Sequence, residues 1–89
     1  MKPDFAEAHY NLGAGLLQQE KPDDAVAEFR AVIRLKPNDA VAHYGLGIAL
    51  RKQSKLAEAV AEFRKARDNA ERGSDLARLI EGALTESSH

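Results

Sequence analysis

The sequence predicts an all-α fold, an α-solenoid of two antiparallel helix–turn–helix hairpins followed by a fifth, capping helix. The strongest observation is an internal repeat: a shift of 34 residues aligns residues 6–39 with residues 40–73 at 15 identical positions of 34. Apolar residues also recur at spacings of three and four, the period of an amphipathic helix. Prolines, a serine and a glycine separate these stretches. A fixed period of this length is typical of stacked units that bury their apolar faces only against neighbouring units.

The first hairpin is predicted to contain helices over residues 5–19 and 22–35. Pro22 opens the second helix, because a proline in the first turn loses no hydrogen bond there, and Pro37 follows its end. The apolar stripe that packs the first helix is Ala8, His9, Leu12 and Leu16. The stripe of the second helix is Ala25, Val26, Phe29, Val32 and Ile33.

The second hairpin repeats this pattern, with a third helix over residues 39–53 and Asn38 as its expected N-cap. Ser54 is expected to cap the fourth helix, and Gly73 to end it in the left-handed conformation. We expect this fourth helix to be longer than its counterpart in the first hairpin.

A fifth helix is predicted from Asp75 to about Leu84, after the N-cap candidate Ser74. Because this helix is apolar on one side only, it suits the end of a stack. Residues 86–89 are predicted to form a frayed tail. The apolar face of the fifth helix is Leu76, Leu79, Ile80, Ala83 and Leu84.

Composition excludes several classes of function. The chain has 89 residues, which predicts one domain without room for an enclosed active site. A net charge of −1 gives no electrostatic footprint for nucleic acid or an anionic membrane. No apolar run approaches the roughly 20 residues that span a bilayer. Cysteine is absent, which excludes disulfides and thiolate metal sites. We expect a soluble, cytoplasmic, non-enzymatic protein without a cofactor that works through its surface.

One motif occurs twice in register: His9-x2-Leu12-Gly13-x2-Leu16 with Ala25-x3-Phe29 and Pro37, then His43-x2-Leu46-Gly47-x2-Leu50 with Ala59-x3-Phe63. This spacing resembles the tetratricopeptide repeat family, whose 34-residue unit carries the signature W-x2-L-G-x2-Y…A-x3-F…P. The resemblance covers residues 6–73 and implies repeat units at 6–39 and 40–73, with a capping helix at 74–85. The histidines stand in place of the tryptophan and the second leucines in place of the tyrosine.

Small residues at Gly13, Gly47, Ala25 and Ala59 are expected where the two helices of a hairpin approach closely. The two phenylalanines of the motif are expected to fill the space between successive hairpins. Leu12→Ala and Phe29→Ala should each cost about 2–5 kcal/mol. The turns within the hairpins carry Glu20 and Ser54, where the family often has glycine.

His9 and His43 fall at equivalent places in adjacent repeats, about 8–10 Å apart if neighbouring helices pack normally. Two imidazoles at this distance could share a metal ion. We found no Cys, Asp or Glu that recurs beside them to complete a ligand shell. We therefore interpret them as structural replacements for tryptophan and expect no metal site.

The resemblance implies that the first helix of each repeat lines a concave groove that binds a peptide of a partner protein. Two interpretations of its tyrosines stay open: they meet the partner, or they pack between adjacent first helices. The two-carboxylate clamp that some family members use is absent, because its places are taken by Tyr10, Ala14 and Gly45. Carried over by position, the groove residues are Glu7, Tyr10, Ala14, Leu17, Gln18, Val41, Tyr44, Ile48, Arg51 and Lys52.

Lys2-Pro3-Asp4 mirrors Lys36-Pro37-Asn38, the end of a repeat, which suggests that the chain is a fragment of a longer repeat array. Three hypotheses follow. The first is a protein–protein interaction module that binds a partner peptide. The second is a homodimer or other scaffold that self-assembles through the uncovered face of the first helix. The third is the substrate-holding arm of a larger enzyme.

Overall fold

The computed structural model describes residues 5–87, and all regular secondary structure in this range is α-helical. The predicted all-α fold is therefore confirmed. The segment Lys2-Pro3-Asp4, which the repeat argument matched to Lys36-Pro37-Asn38, lies outside the described residues, as do the last two residues of the chain. The helices are α1 (Phe5–Gln18), α2 (Pro22–Leu35), α3 (Ala40–Lys52), α4 (Leu56–Asn69) and α5 (Asp75–Ser87).

The turn inside each hairpin depends on one residue with a left-handed backbone. Glu20 has φ 57° and Ser54 has φ 64°. In each turn the next residue donates its backbone N–H to a carbonyl five positions back, at 2.8 Å for Lys21 to Leu16 and 2.9 Å for Lys55 to Leu50. This bond closes the end of the preceding helix in the manner of a Schellman motif. Ser54 therefore ends α3, and the expectation that it caps α4 was wrong.

The starts of the other helices follow their local chemistry. Pro22 occupies the first turn of α2, as predicted. The N-cap of α3 is Asp39 rather than Asn38, and its Oδ1 accepts a hydrogen bond from the backbone N–H of Ala42 at 3.1 Å. Ser74 caps α5 as predicted, because its Oγ accepts from the N–H of Ala77 at 3.1 Å.

The region after α4 differs from the prediction in three ways. Helix α4 has 14 residues, the same as α2, so it is not the longer of the two. Gly73 is left-handed, with φ 76°, but it lies in the connection to α5 rather than directly after the helix. Helix α5 runs to Ser87, so Glu86 belongs to the helix and not to a tail.

The core forms where small residues let the two phenylalanines lie between helices. Phe29 of α2 is 1 % exposed, and a Cβ added to Gly13 of α1 would lie 3.1 Å from its Cζ. On α3, a Cβ added to Gly45 would lie only 2.6 Å from Cε1 of the same ring. The equivalent ring of Phe63 stands against Gly47. The predicted close approach and the place of Phe29 between the hairpins are both confirmed.

The outer face of α1 is much more exposed than the matching face of α3. Leu12 is 52 % exposed and Ala8 is exposed, whereas Leu46 is 4 % and Ala42 is 0 % exposed. Helix α2 covers α3, and Ala42 packs in one cluster with Val32. Within residues 5–87 no helix precedes α1 to do the same. The expectation that Leu12 is a buried packing residue was therefore wrong.

Helix α5 covers the other end of the stack with two buried residues, Ile80 and Ala83. Leu76 and Leu84 are half-buried beside them. Leu79, which was placed on the same apolar face, is 56 % exposed. The face that α5 packs against α4 is therefore narrower than the sequence indicated.

Candidate binding surface

The ten groove residues inferred from the sequence lie on α1 and α3, the first helix of each hairpin, and none of them is fully buried. Four of the ten are exposed, namely Glu7, Gln18, Val41 and Lys52. The other six are half-buried, namely Tyr10, Ala14, Leu17, Tyr44, Ile48 and Arg51. The expectation that the apolar members all stand free in water was therefore only partly right, since most of them also pack against the core.

The two tyrosines rest on the buried phenylalanines of their own hairpins. The rings of Tyr10 and Phe29 have centroids 5.8 Å apart and meet edge to face at 63°. The rings of Tyr44 and Phe63 are 5.9 Å apart at 47°. These aromatic contacts hold the tyrosine rings in place while part of each remains accessible to solvent. They connect the first helix of each hairpin to the second. Tyr10 also packs against the cluster that contains Ala6 of α1 and Ala42 of α3, so both interpretations of the tyrosines stay open.

Three groove residues share a surface hollow of about 270 Å³ near the beginnings of α1 and α3. Glu7 and Tyr10 line it from α1, and Val41 lines it from α3. Lys36 and Asp39 contribute its polar edge from the connection between the hairpins. This hollow brings together side chains from both first helices, as a shared binding surface requires.

The far end of the surface is basic. The guanidinium carbon of Arg51 lies 5.8 Å from the centroid of the Phe63 ring. Its Nη1 donates to Oε2 of Glu86 on α5, at 3.3 Å. Lys52 follows Arg51 and is exposed. Because Glu86 is in α5, the capping helix takes part in this end of the surface.

Each motif histidine pairs with a glutamate 19 residues later. Nδ1 of His9 is 2.6 Å from Oε2 of Glu28, and Nδ1 of His43 is 2.8 Å from Oε1 of Glu62. The statement that no acid recurs beside the histidines was wrong. The repeat could have predicted these pairs, because the two glutamates occupy equivalent positions, each directly before the motif phenylalanine.

The second of these pairs is buried and fully bonded. The Nε2 atom of His43 lies 2.7 Å from the carbonyl oxygen of Pro37, which only accepts, so this nitrogen carries a hydrogen. Oε2 of Glu62 accepts from Nζ of Lys65 at 3.1 Å. His43 therefore joins the α2–α3 connection to α4, which gives it a structural role. In residues 5–87 no group of three or more His, Cys, Asp or Glu side chains is placed to hold a metal ion.

A larger hollow, of about 680 Å³, lies elsewhere, between the end of α4 and the start of α5. It contains none of the ten groove residues. Ala77 lines it and stands 34 residues after His43. In the preceding unit this position carries the imidazole of His43, which bonds to Pro37 and Glu62. The charged lining of the hollow is mixed, namely Arg67, Asp68, Arg72, Arg78 and Glu81.

None of the helices in residues 5–87 combines the length and the apolar character needed to cross a bilayer. A family model described as tetratricopeptide repeat matches residues 1–40 and, in a second match, residues 10–74. No individual curated protein matches the chain at a significant level. Repeats of this family generally act as protein–protein interaction modules and are typically non-catalytic.

Proposed function

Because the chain belongs to the tetratricopeptide repeat family, we propose that it binds a peptide segment of a partner protein along the surface formed by α1 and α3. The observation that carries this proposal is the pair of half-buried tyrosines at equivalent positions. Tyr10 and Tyr44 each keep an accessible edge while a buried phenylalanine fixes the ring.

Fixed aromatic rings favour binding for two reasons. A tyrosine presents a large apolar area with few rotatable bonds, so little conformational entropy is lost when a partner covers it. Aromatic side chains are also enriched among the residues that dominate binding energy at interfaces. The apolar side chains of Leu17 and Ile48 extend the accessible area along both helices.

A binding selection tests the proposal and does not require the partner to be identified first. A phage-displayed library of random peptides is panned against the purified protein, and enriched peptides are synthesised for titration. A triple variant, Tyr10→Ala, Tyr44→Ala and Ile48→Ala, should lose most of the affinity. Its matched control is Arg30→Ala with Arg64→Ala, two exposed residues on the second helices of the hairpins.

Circular dichroism and thermal melts first establish that both variants are folded. Loss of binding in the triple variant, with retention in the control, supports the groove. Equal binding by the triple variant moves the site elsewhere and overturns the proposal. Failure to enrich any peptide also counts against it.

We propose self-association as a second candidate, because the outer face of α1 is uncovered. Leu12 is 52 % exposed there, whereas its equivalent Leu46 is 4 % exposed beneath α2. A second copy that placed a helix over this face would bury Leu12 as α2 buries Leu46. Sedimentation equilibrium over a wide range of concentrations tests this idea, with Leu12→Glu as the disruptive variant. A monomer at all concentrations overturns it.

A further inference from the structure

The contact between Arg51 and Glu86 places a fixed positive charge at one end of the proposed groove. The guanidinium carbon of Arg51 lies 5.8 Å from the centre of the Phe63 ring, and that ring is 0 % exposed. A guanidinium above a buried aromatic face gains a cation–π interaction and loses freedom to move. Arg51 is thereby held in position before any partner arrives.

The bond from Arg51 to Glu86 uses one nitrogen of the guanidinium, and the Arg51 side chain is 35 % exposed. The bond joins this nitrogen, Nη1, to one carboxylate oxygen at 3.3 Å, and the Glu86 side chain is 75 % exposed. An arginine has five N–H donors arranged in a planar fork that fits a carboxylate through two parallel bonds. A single, long and exposed ion pair is weak. Another carboxylate could therefore replace Glu86 at little cost.

The equivalent position in the first hairpin is apolar. Leu17 stands 34 residues before Arg51 and packs partly against the core. The surface thus presents an apolar side chain, Leu17, on α1 and a guanidinium that is able to bind a carboxylate, Arg51, on α3. A partner that matches both has an apolar side chain and an acidic one.

We propose that Arg51 is a carboxylate subsite that takes an aspartate or glutamate of the bound peptide, and that Glu86 occupies this subsite when no peptide is present. The inference rests on the proposed function, because it names the chemistry of the peptide that the groove binds. Glu86 acts as an internal competitor, which lowers the apparent affinity by the fraction of molecules in which the subsite is filled.

The spacing of the two contacts predicts the spacing in the peptide. Packed helices lie about 8–10 Å apart, and an extended peptide advances about 3.3 Å per residue. An apolar side chain beside Leu17 and an acidic one at Arg51 are therefore separated by two or three residues along the partner.

The peptides enriched from the random library provide the probe. We expect them to share an Asp or Glu two or three residues from an apolar residue. Arg51→Gln should weaken their binding about tenfold or more, because a charge-assisted hydrogen bond is lost. Glu86→Gln should strengthen it about two- to fivefold, the contribution of an exposed ion pair. The matched control, Arg64→Gln, removes an exposed charge on α4, outside the groove, and should leave affinity unchanged.

The variants separate this inference from the proposed function. If the triple groove variant loses binding but Arg51→Gln does not, or if the enriched peptides lack acidic residues, the groove stands and the subsite is wrong. If Glu86→Gln weakens binding, the competitor role is wrong. If the triple variant binds normally, or if no peptide is enriched, both proposals fail together. Because Glu86 is exposed, its variant gives a result even if Arg51→Gln proves unstable.

Discussion

Helices α1 and α3 are identical at 7 of 13 aligned positions and have different surroundings. Both carry an apolar stripe, which includes Ala8 and Leu12 on α1 and the equivalent Ala42 and Leu46 on α3. On α3 this stripe is buried, with Ala42 at 0 % and Leu46 at 4 % exposed, whereas on α1 Leu12 is 52 % exposed. The difference arises from α2, which lies over α3 and has no counterpart over α1 among residues 5–87. An amphipathic stripe in a repeat thus defines a surface that is able to pack, and the neighbouring unit decides whether it is covered.

The same contrast extends to the histidine–glutamate pairs. The side chains of His43 and Glu62 are 6 % and 12 % exposed, whereas those of His9 and Glu28 are 39 % and 23 % exposed. The same pair of side chains, a histidine and a glutamate, is therefore buried in one hairpin and partly exposed to solvent in the other. Because a hydrogen bond is worth more where water does not compete for its partners, the two pairs should differ in their contribution to stability.

Replacing the equivalent leucines Leu46 and Leu12 should give the largest difference in stability loss between the two hairpins. Leu46→Ala should lower the free energy of unfolding by about 2–5 kcal/mol, because it opens a cavity in a packed region. Leu12→Ala should cost less than about 1 kcal/mol, because half of the side chain is already in water. Urea denaturation of both variants measures the difference. Equal losses would show that α1 is covered in solution, which would favour self-association.

The histidine pair should give the next largest difference. His43→Ala leaves the carbonyl of Pro37 and one oxygen of buried Glu62 without their partner and should cost about 2–3 kcal/mol. His9→Ala, in the more exposed pair, should cost about 1 kcal/mol or less. Thermal unfolding of the two variants at one pH makes the comparison. A larger loss for His9 would contradict the assigned burial of the pairs.

The third comparison concerns Gly45 and Asn11, which occupy the same position in the repeat. A methyl group on Gly45 would lie 2.6 Å from Cε1 of Phe29. We expect Gly45→Ala to cost a net amount of up to about 2 kcal/mol, since overpacking costs about 1–3 kcal/mol and the better helix propensity of alanine returns about 1 kcal/mol. Asn11 is exposed, so Asn11→Ala should change stability by no more than about 0.5 kcal/mol. A stabilised Gly45→Ala variant would mean that the ring of Phe29 moves freely.

The smallest effect should be a gain in stability, equal in the two hairpins, when the left-handed residue of each turn is replaced by glycine. Glu20 and Ser54 both have left-handed backbones, at φ 57° and 64°. Glycine adopts this conformation without the strain of a Cβ, although it also has more freedom in the unfolded chain. Glu20→Gly and Ser54→Gly should therefore each stabilise the protein by up to about 1 kcal/mol. Gln19→Gly, one residue away, is the control and should destabilise it.

Much of the fold follows from the sequence because the repeat supplies the same evidence twice. The glycines and alanines at the close approaches, the proline that opens α2 and the serine that caps α5 all behave as local chemistry dictates. The start of α3 was wrong by one residue, since Asn38 and Asp39 are adjacent and equally good caps. The exposure of Leu12 did not follow from its stripe, which is the same as that of Leu46, although the fragment hypothesis implied an uncovered outer face on the first helix.

The candidate site was less predictable than the fold. The histidine–glutamate pairs could have been found, because Glu28 and Glu62 recur with the same period as the histidines. The bond from Arg51 to Glu86 could not, because it depends on α5 continuing to Ser87, beyond its predicted end. The packing of Tyr10 against Phe29 depends on how two helices are rotated about their axes, which hydrophobic spacing alone does not fix.

The position of Phe29 has a consequence for how the molecule unfolds. Its ring meets Gly13 in its own hairpin and Gly45 in the next, so both hairpins complete their packing around one side chain. Neither hairpin is able to open without exposing an aromatic surface that the other needs. The ring therefore couples the two units, together with the contact of Val32 and Ala42, so the hairpins should exchange amide hydrogens and melt as one cooperative unit.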